Sequence, residues 1–175
     1  MTQERHPLVL RLVHWTTAAL VLSLLALGLS MVDSLAQWRT TGLRLHKLGG
    51  VLVLCLTSVR MFLRVVQRST LAPLPTVSRE QALGMRLVHV TLYTLLIAVP
   101  ISGWLMQNAA GNPVYLVGAT TLPQLVGDDL VLYGALREAH SLLTTLLVLA
   151  LLAHIGGALH DGLVSRRGLM QRMWR

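Results

Sequence analysis

Charge is scarce in this chain. Only 13% of its 175 residues are charged and 5% are aromatic, whereas 54% are hydrophobic and the mean hydropathy is +0.63. A soluble domain carries about 25% charged residues, so the composition excludes that class and points to a membrane protein. Cysteine is reduced to one residue, Cys55. A lone thiol forms no intrachain disulfide, and without a CxxCH segment covalent attachment of a c-type haem is excluded. Also missing are a phosphate-cradling glycine loop, a Ser-His-Asp arrangement and any other recognisable nucleophile.

What fills the chain is apolar sequence. Four runs of about 20 residues or more stand out, at roughly 8–31, 43–66, 83–106 and 135–160. They predict an all-α fold, a transmembrane four-helix bundle forming one domain over residues 1–175. The first run is too long for the core of a secretory signal and no small-residue cleavage site follows it, so it is expected to stay in the mature protein.

An even number of spans puts both termini on one side. Arg5, Arg11, Arg60, Arg64, Arg68, Arg79, Arg86, Arg166, Arg167, Arg172 and Arg175 fall toward that side, and Arg39, Arg44, Lys47 and Arg137 toward the other. Eleven against four is a positive-inside bias that predicts cytoplasmic termini. The formal net charge of +8 therefore reports topology and contact with anionic membrane lipid. These arginines flank spans and are not interleaved with an aromatic surface, so no nucleic-acid partner is expected.

Two connections differ in kind. "QRSTLAPLPTVSRE" (67–80) is polar, with Pro73 and Pro75 to stop a helix. The other, from Gln107 to about Leu132, contains "QNAAGNPVYLVGATTLPQLVGDDL" and is partly apolar. A loop of that length is functional or partly folded, and we expect a lid over the outer end of the bundle. Pro100, inside the third span, is expected to kink its helix, the freed carbonyl being satisfied by a neighbouring helix.

Histidine is the unusual content of these spans. In "EAHSLLTTLLVLALLAHIGGALHDG" (138–162), His140 and His154 are 14 residues apart, about 21 Å along a helix and only about 40° out of line. His160 lies about 120° away from His154 and points elsewhere. His14 in the first span is level with His154, and His46 at the start of the second is level with His140. The ordinary role of one buried imidazole is a hydrogen bond to a carbonyl or hydroxyl. Four at matched depths in lipid point further, because polar groups there are costly and functional by default. Imidazole ligates metal, and two on separate helices describe a bis-His haem site. A bare structural metal fits poorly, since no Cys, Asp or Glu completes either pair. Gly49, Gly50, Gly156 and Gly157 lie near these histidines, either to admit a porphyrin face or to pack helices closely. "RLVHW" (11–15) and "RLVHV" (86–90) are near copies, so spacing leaves open whether His14 or His89 opposes His154.

The chain resembles the prokaryotic cytochrome b561 family, dihaem four-helix membrane cytochromes, from about Arg11 to Met173. The resemblance is carried by "RLVHWTTAALV", "RLHKLGGVLVL", "HVTLYTLLIAVPISGWLMQNAAGNP" and "EAHSLLTTLLVLALLAH" in register. It implies two non-covalent haem b groups, with His14 and His154 on the cytoplasmic-side iron and His46 and His140 on the outer-side iron. It makes His89 a non-ligand, near a haem propionate or a quinone. It further implies electron transfer in a bacterial inner membrane, with ubiquinone as acceptor and, by likeness to a superoxide oxidase, superoxide as outer donor.

Some residues speak to that donor. Arg39, Arg44 and Lys47 surround His46 and can guide a small anion, or serve as headgroup anchors. Asp33, Asp128, Asp129 and Glu138 offset them on the same side. Protonation of a reduced quinone would draw on His89, His160 or Asp161. The expectation is a superoxide:ubiquinone oxidoreductase. Two alternatives stand beside it: a cytochrome b subunit relaying electrons between a dehydrogenase or hydrogenase partner and quinone, and a transporter or scaffold whose histidines bind metal or only hydrogen-bond.

Overall fold

A computed structural model describes residues 7–32, 34–67, 77–116, 118 and 120–165. The described residues form α1 (Leu8–Val32), α2 (Trp38–Val66), α3 (Arg79–Ala109) and α4 (Leu130–His160), with a π-helical turn, Asp161–Ser165, running on from α4. All four α-helices are long and apolar enough to cross a membrane. At about 1.5 Å per residue, their 25 to 31 residues exceed a hydrocarbon core of about 30 Å. The all-helical expectation holds, and each apolar run lies inside one helix.

The helices outrun the apolar windows where polar residues extend and cap them. α2 begins at Trp38, five residues before the window, and α3 at Arg79. The start of α3 is a capping box: Ser78 Oγ accepts from Gln81 N, and Gln81 Oε1 accepts from Ser78 N, both at 3.3 Å. α4 starts at Leu130 because Asp129 Oδ1 accepts from Val131 N at 2.8 Å and Leu132 N at 3.0 Å. A window of hydropathy cannot see these ends, since the residues that extend and cap the helices are polar.

Neighbouring helices pack in chain order, α1 on α2, α2 on α3 and α3 on α4. A single buried cluster draws on all four: Val21, Val53, Leu92, Leu95, Leu96 and Leu147. Each contributor lies near the middle of its helix, so the apolar core separates two ends that are free to hold polar groups. Gly49 serves helix packing. A Cβ there would lie 2.7 Å from Leu24 Cδ2, so its absence lets α2 close on α1. Gly50, Gly156 and Gly157 have nothing within 4 Å of an added Cβ. Leucines such as Leu12, Leu29, Leu142 and Leu152 cover the outer surface, more than half exposed. Such a surface suits lipid.

The long connection is folded in part. Tyr115 and Thr121 form an antiparallel bridge, flanked by Leu116 N to Thr120 O (2.8 Å) and Leu122 N to Val114 O (2.9 Å). Buried Asn108 accepts Leu125 N at its Oδ1 (2.9 Å), and Asp129 N donates to Ala109 O (2.9 Å), which ties both ends of the loop to α3. Gly111 turns with φ +68°, a left-handed conformation, and a Cβ there would also crowd Asp128 Oδ2 at 3.0 Å. Lys47 on α2 donates to Pro113 O at 3.2 Å, so the loop reaches across to the start of a second helix. This matches the expected lid, and the bundle accordingly has a lid end and an opposite end.

Pro100 lies inside α3, which continues through it. From the neighbouring helix, His140 of α4 reaches Val99 O, whereas the carbonyl that Pro100 frees is that of Leu96. Pro73 and Pro75 lie outside the described residues, as do Arg5, Asp33, Arg68, Arg166, Arg167, Arg172 and Arg175.

Candidate functional site

At the opposite end from the lid, helical register brings four side chains to one depth. His14 stands six residues from the start of α1, Arg60 six from the end of α2, and His154 six from the end of α4, each about 9 Å in. His89 joins them from α3. The His14 and His154 ring centroids are 6.3 Å apart with planes at 75°, and those of His89 and His154 are 5.3 Å apart at 86°.

Two histidines thus stand near His154 at different spacings. A metal–imidazole bond is about 2 Å, and the ring centroid lies about 1 Å behind the nitrogen, so two imidazoles on one iron have centroids about 6 Å apart. His14 and His154 fit that spacing, and His89 stands closer than it allows. His89 Nδ1 donates to Met85 O of its own helix at 2.7 Å, which leaves its Nε2 with the lone pair. His14 Nδ1, by contrast, is buried without a hydrogen-bond partner in the protein, a polar atom whose burial the chain itself leaves uncompensated.

At the lid end, His46 of α2 and His140 of α4 are near enough to interact electrostatically. Both rings are half-buried and each lies against a glycine. A Cβ on Gly28 would be 3.2 Å from His46 Cε1, and one on Gly103 would be 3.1 Å from His140 Cε1. Only a residue without a side chain lets the ring settle there. His140 Nδ1 donates to Val99 O (3.1 Å) and lies 3.0 Å from Ser102 Oγ, which itself donates to Val99 O at 2.8 Å. Protonation at Nδ1 leaves Nε2 as the lone-pair nitrogen, the tautomer and orientation a metal ligand requires.

No group of three or more His, Cys, Asp or Glu side chains that could hold a metal ion occurs among the described residues. The donor set therefore suits a metal that brings its own equatorial ligands, as haem iron does, and needs two axial imidazoles from the protein. The residues present fit that group at both ends.

Reading the sequence missed Gly28, Ser102, Gly103 and Arg60 as site residues. Ser102 and Gly103 lie in the "PISG" segment that helped to carry the resemblance, so a signal was present without an assigned role. Gly28 carries no local signal. Arg60 had served only as a topological charge. Inside α2 its guanidinium lies over the Tyr93 ring, 5.6 Å from the centroid, whereas Arg64 one turn later is exposed. An arginine at the centre of a spanning helix costs about 2.5–3.5 kcal/mol, and less toward the end, where Arg60 stands. A cation–π contact returns about 0.5–2 kcal/mol.

The remaining expected residues are placed as follows. Arg39 and Arg44 are exposed near the lid end, and half-buried Lys47 is the residue bonded to Pro113 O. His160 is exposed at the end of α4, and Asp161 is buried at the start of the π turn.

Residues 5–175 match the family model for prokaryotic cytochrome b561. The chain belongs to that family. Over 129 residues it is also 34% identical to cytochrome b561 homolog 2 of Escherichia coli (strain K12), an overlap covering 73% of this chain and 68% of that protein. Membership makes it a multi-pass membrane cytochrome that binds haem b and transfers electrons.

Proposed function

We propose that this cytochrome b561 holds two non-covalent haem b groups in one domain, one between His14 and His154 and one between His46 and His140, and conducts electrons from an outer-side donor to membrane ubiquinone. The observation that carries the reading is the 6.3 Å separation of the His14 and His154 rings, the spacing of two imidazoles on one iron. At the lid end the reading rests on the oriented His140 and on the two glycines under the rings. The termini face the cytoplasm of a bacterial inner membrane, and the lid faces outward, supported by the eleven-to-four split of basic residues.

Bound haem supplies reversible one-electron chemistry. The chain's own residues do the rest. The paired imidazoles would hold the iron on both sides, so that electrons would enter and leave without a further ligand binding to it. The core of Val21, Val53, Leu92, Leu95, Leu96 and Leu147 excludes water between the two ends. Arg39 and Arg44, exposed beside the lid, favour the approach of a small anion. Superoxide is the donor we assign: two superoxide anions lose one electron each to become dioxygen, and the two electrons with two protons convert one ubiquinone to ubiquinol. His89, His160 and Asp161 are the candidates at the opposite end for passing those protons.

Purified protein tests the reading in two steps. A Soret band and a split α band on reduction are expected; their absence would sink both the oxidase and the relay readings and leave the transporter or scaffold. Haem reduction by a superoxide source, followed with and without ubiquinone, is expected to outpace spontaneous dismutation and to turn over only with quinone. Failure of that step, with the haems present, favours the relay fed by a partner redox subunit.

A further inference from the structure

Arg60 is a feature of the opposite end that the two imidazole pairs do not use. It is a half-buried cation within a spanning helix, level with His14 and His154, and close enough to His14, His89 and His154 to act on all three electrostatically. Among the described residues, the charged and titratable groups acting on Arg60 itself are Tyr93 beneath it and Arg64 one turn away; no carboxylate is among them. The ring of Tyr93 holds the guanidinium beside the histidines. Arg64, on the same helix, is exposed and reaches the surface, so position on α2 alone does not explain why Arg60 stays inside. A guanidinium half-buried in the bundle beside these histidines calls for an anion of matching shape, and its planar fork suits oxyanions.

We propose that Arg60 is the counter-charge for an anionic oxygen group bound beside His14 and His154, either a carboxylate of the haem held there or the oxygen of a reduced quinone. The proposal rests on the haem reading above. In the first case Arg60 is a positioning residue that sets haem orientation and raises its potential, because a nearby positive charge disfavours the ferric state. In the second it stabilises the oxygen that gains negative charge as quinone is reduced.

Wild type, Arg60→Gln and Arg60→Lys should be purified free of quinone and compared by haem content, optical redox titration and redox-difference infrared spectroscopy, with His14→Ala marking which haem lies at this end. With a haem carboxylate as partner, Arg60→Gln shifts that haem alone toward the oxidised form, on the order of tenfold at fixed potential, and its carboxylate band moves. Arg60→Lys keeps the charge but loses the fork, so the potential is largely retained while the band still moves; this variant serves if Arg60→Gln does not fold. With a quinone oxygen as partner, the quinone-free protein is unchanged, and the KM for a short-chain ubiquinone rises about tenfold. Unchanged potentials, bands and quinone response overturn the proposal. A wild type without haem instead removes the reading on which it rests.

Discussion

The imidazoles of His14 and His154 face each other across the bundle with centroids 6.3 Å apart, a separation that His89, 5.3 Å from His154, does not share. All three histidines occupy one level, and the proposed ligation pairs His154 with His14. His14→Ala and His154→Ala are each expected to lose the same haem, and His89→Ala to keep both. Haem per chain and the split α band measure this; loss of a haem in the His89 variant would reverse the assignment.

The lid-end pair should behave as an independent unit, since the apolar cluster separates it from the other. His46→Ala and His140→Ala are expected to lose the lid-end haem and retain the haem at His14. Simultaneous loss of both haems in either variant would show that the two sites are not separable.

Gly103 gives a prediction in which helix propensity and ligand placement oppose each other. Alanine in a helix interior is better than glycine by about 0.5–1 kcal/mol, yet its Cβ would stand 3.1 Å from His140 Cε1. Gly103→Ala should therefore preserve or raise the thermal stability of the haem-free bundle while lowering occupancy of the lid-end haem, and Gly103→Val should lose it. Gly28→Val should act likewise through His46. Full occupancy in the valine variants would remove these glycines from the site.

Ser102 touches His140 Nδ1 and the carbonyl that Nδ1 also uses. Ser102→Ala removes one of two partners, a loss of about 0.5–1.5 kcal/mol for a neutral hydrogen bond. The expected result is a retained lid-end haem with an altered midpoint potential, read by optical redox titration, and an unaltered second haem.

Lys47 bonds Pro113 O and so couples α2 to the lid. Lys47→Met is expected to loosen the loop, seen as faster amide exchange around Val114. Arg39→Gln and Arg44→Gln, exposed and without a part in the loop's hydrogen bonds, should instead slow superoxide-driven haem reduction and weaken its dependence on salt. Equal effects of all three on both measurements would merge the anchoring and guidance roles.

The membrane class, the four spans and the two histidine levels were legible in the linear chain, because lipid thickness fixes run length and helical rise fixes depth. His140 and His154 share one helix, so their separation and common face follow from 14 residues of register alone. Helix ends were less legible: Trp38, Arg79 and Leu130 start their helices through caps and polar extension that hydropathy does not measure. Distances between helices were not legible at all. "RLVHW" and "RLVHV" give His14 and His89 the same local setting, and only the packing of α1 and α3 around α4 makes one ring 6.3 Å and the other 5.3 Å from His154. The same holds for Gly28 under His46, and for Arg60, whose confinement over Tyr93 depends on how α2 meets α3. One-dimensional periodicity encodes depth and face; which faces meet, and how closely, is decided by the side chains packed between the helices.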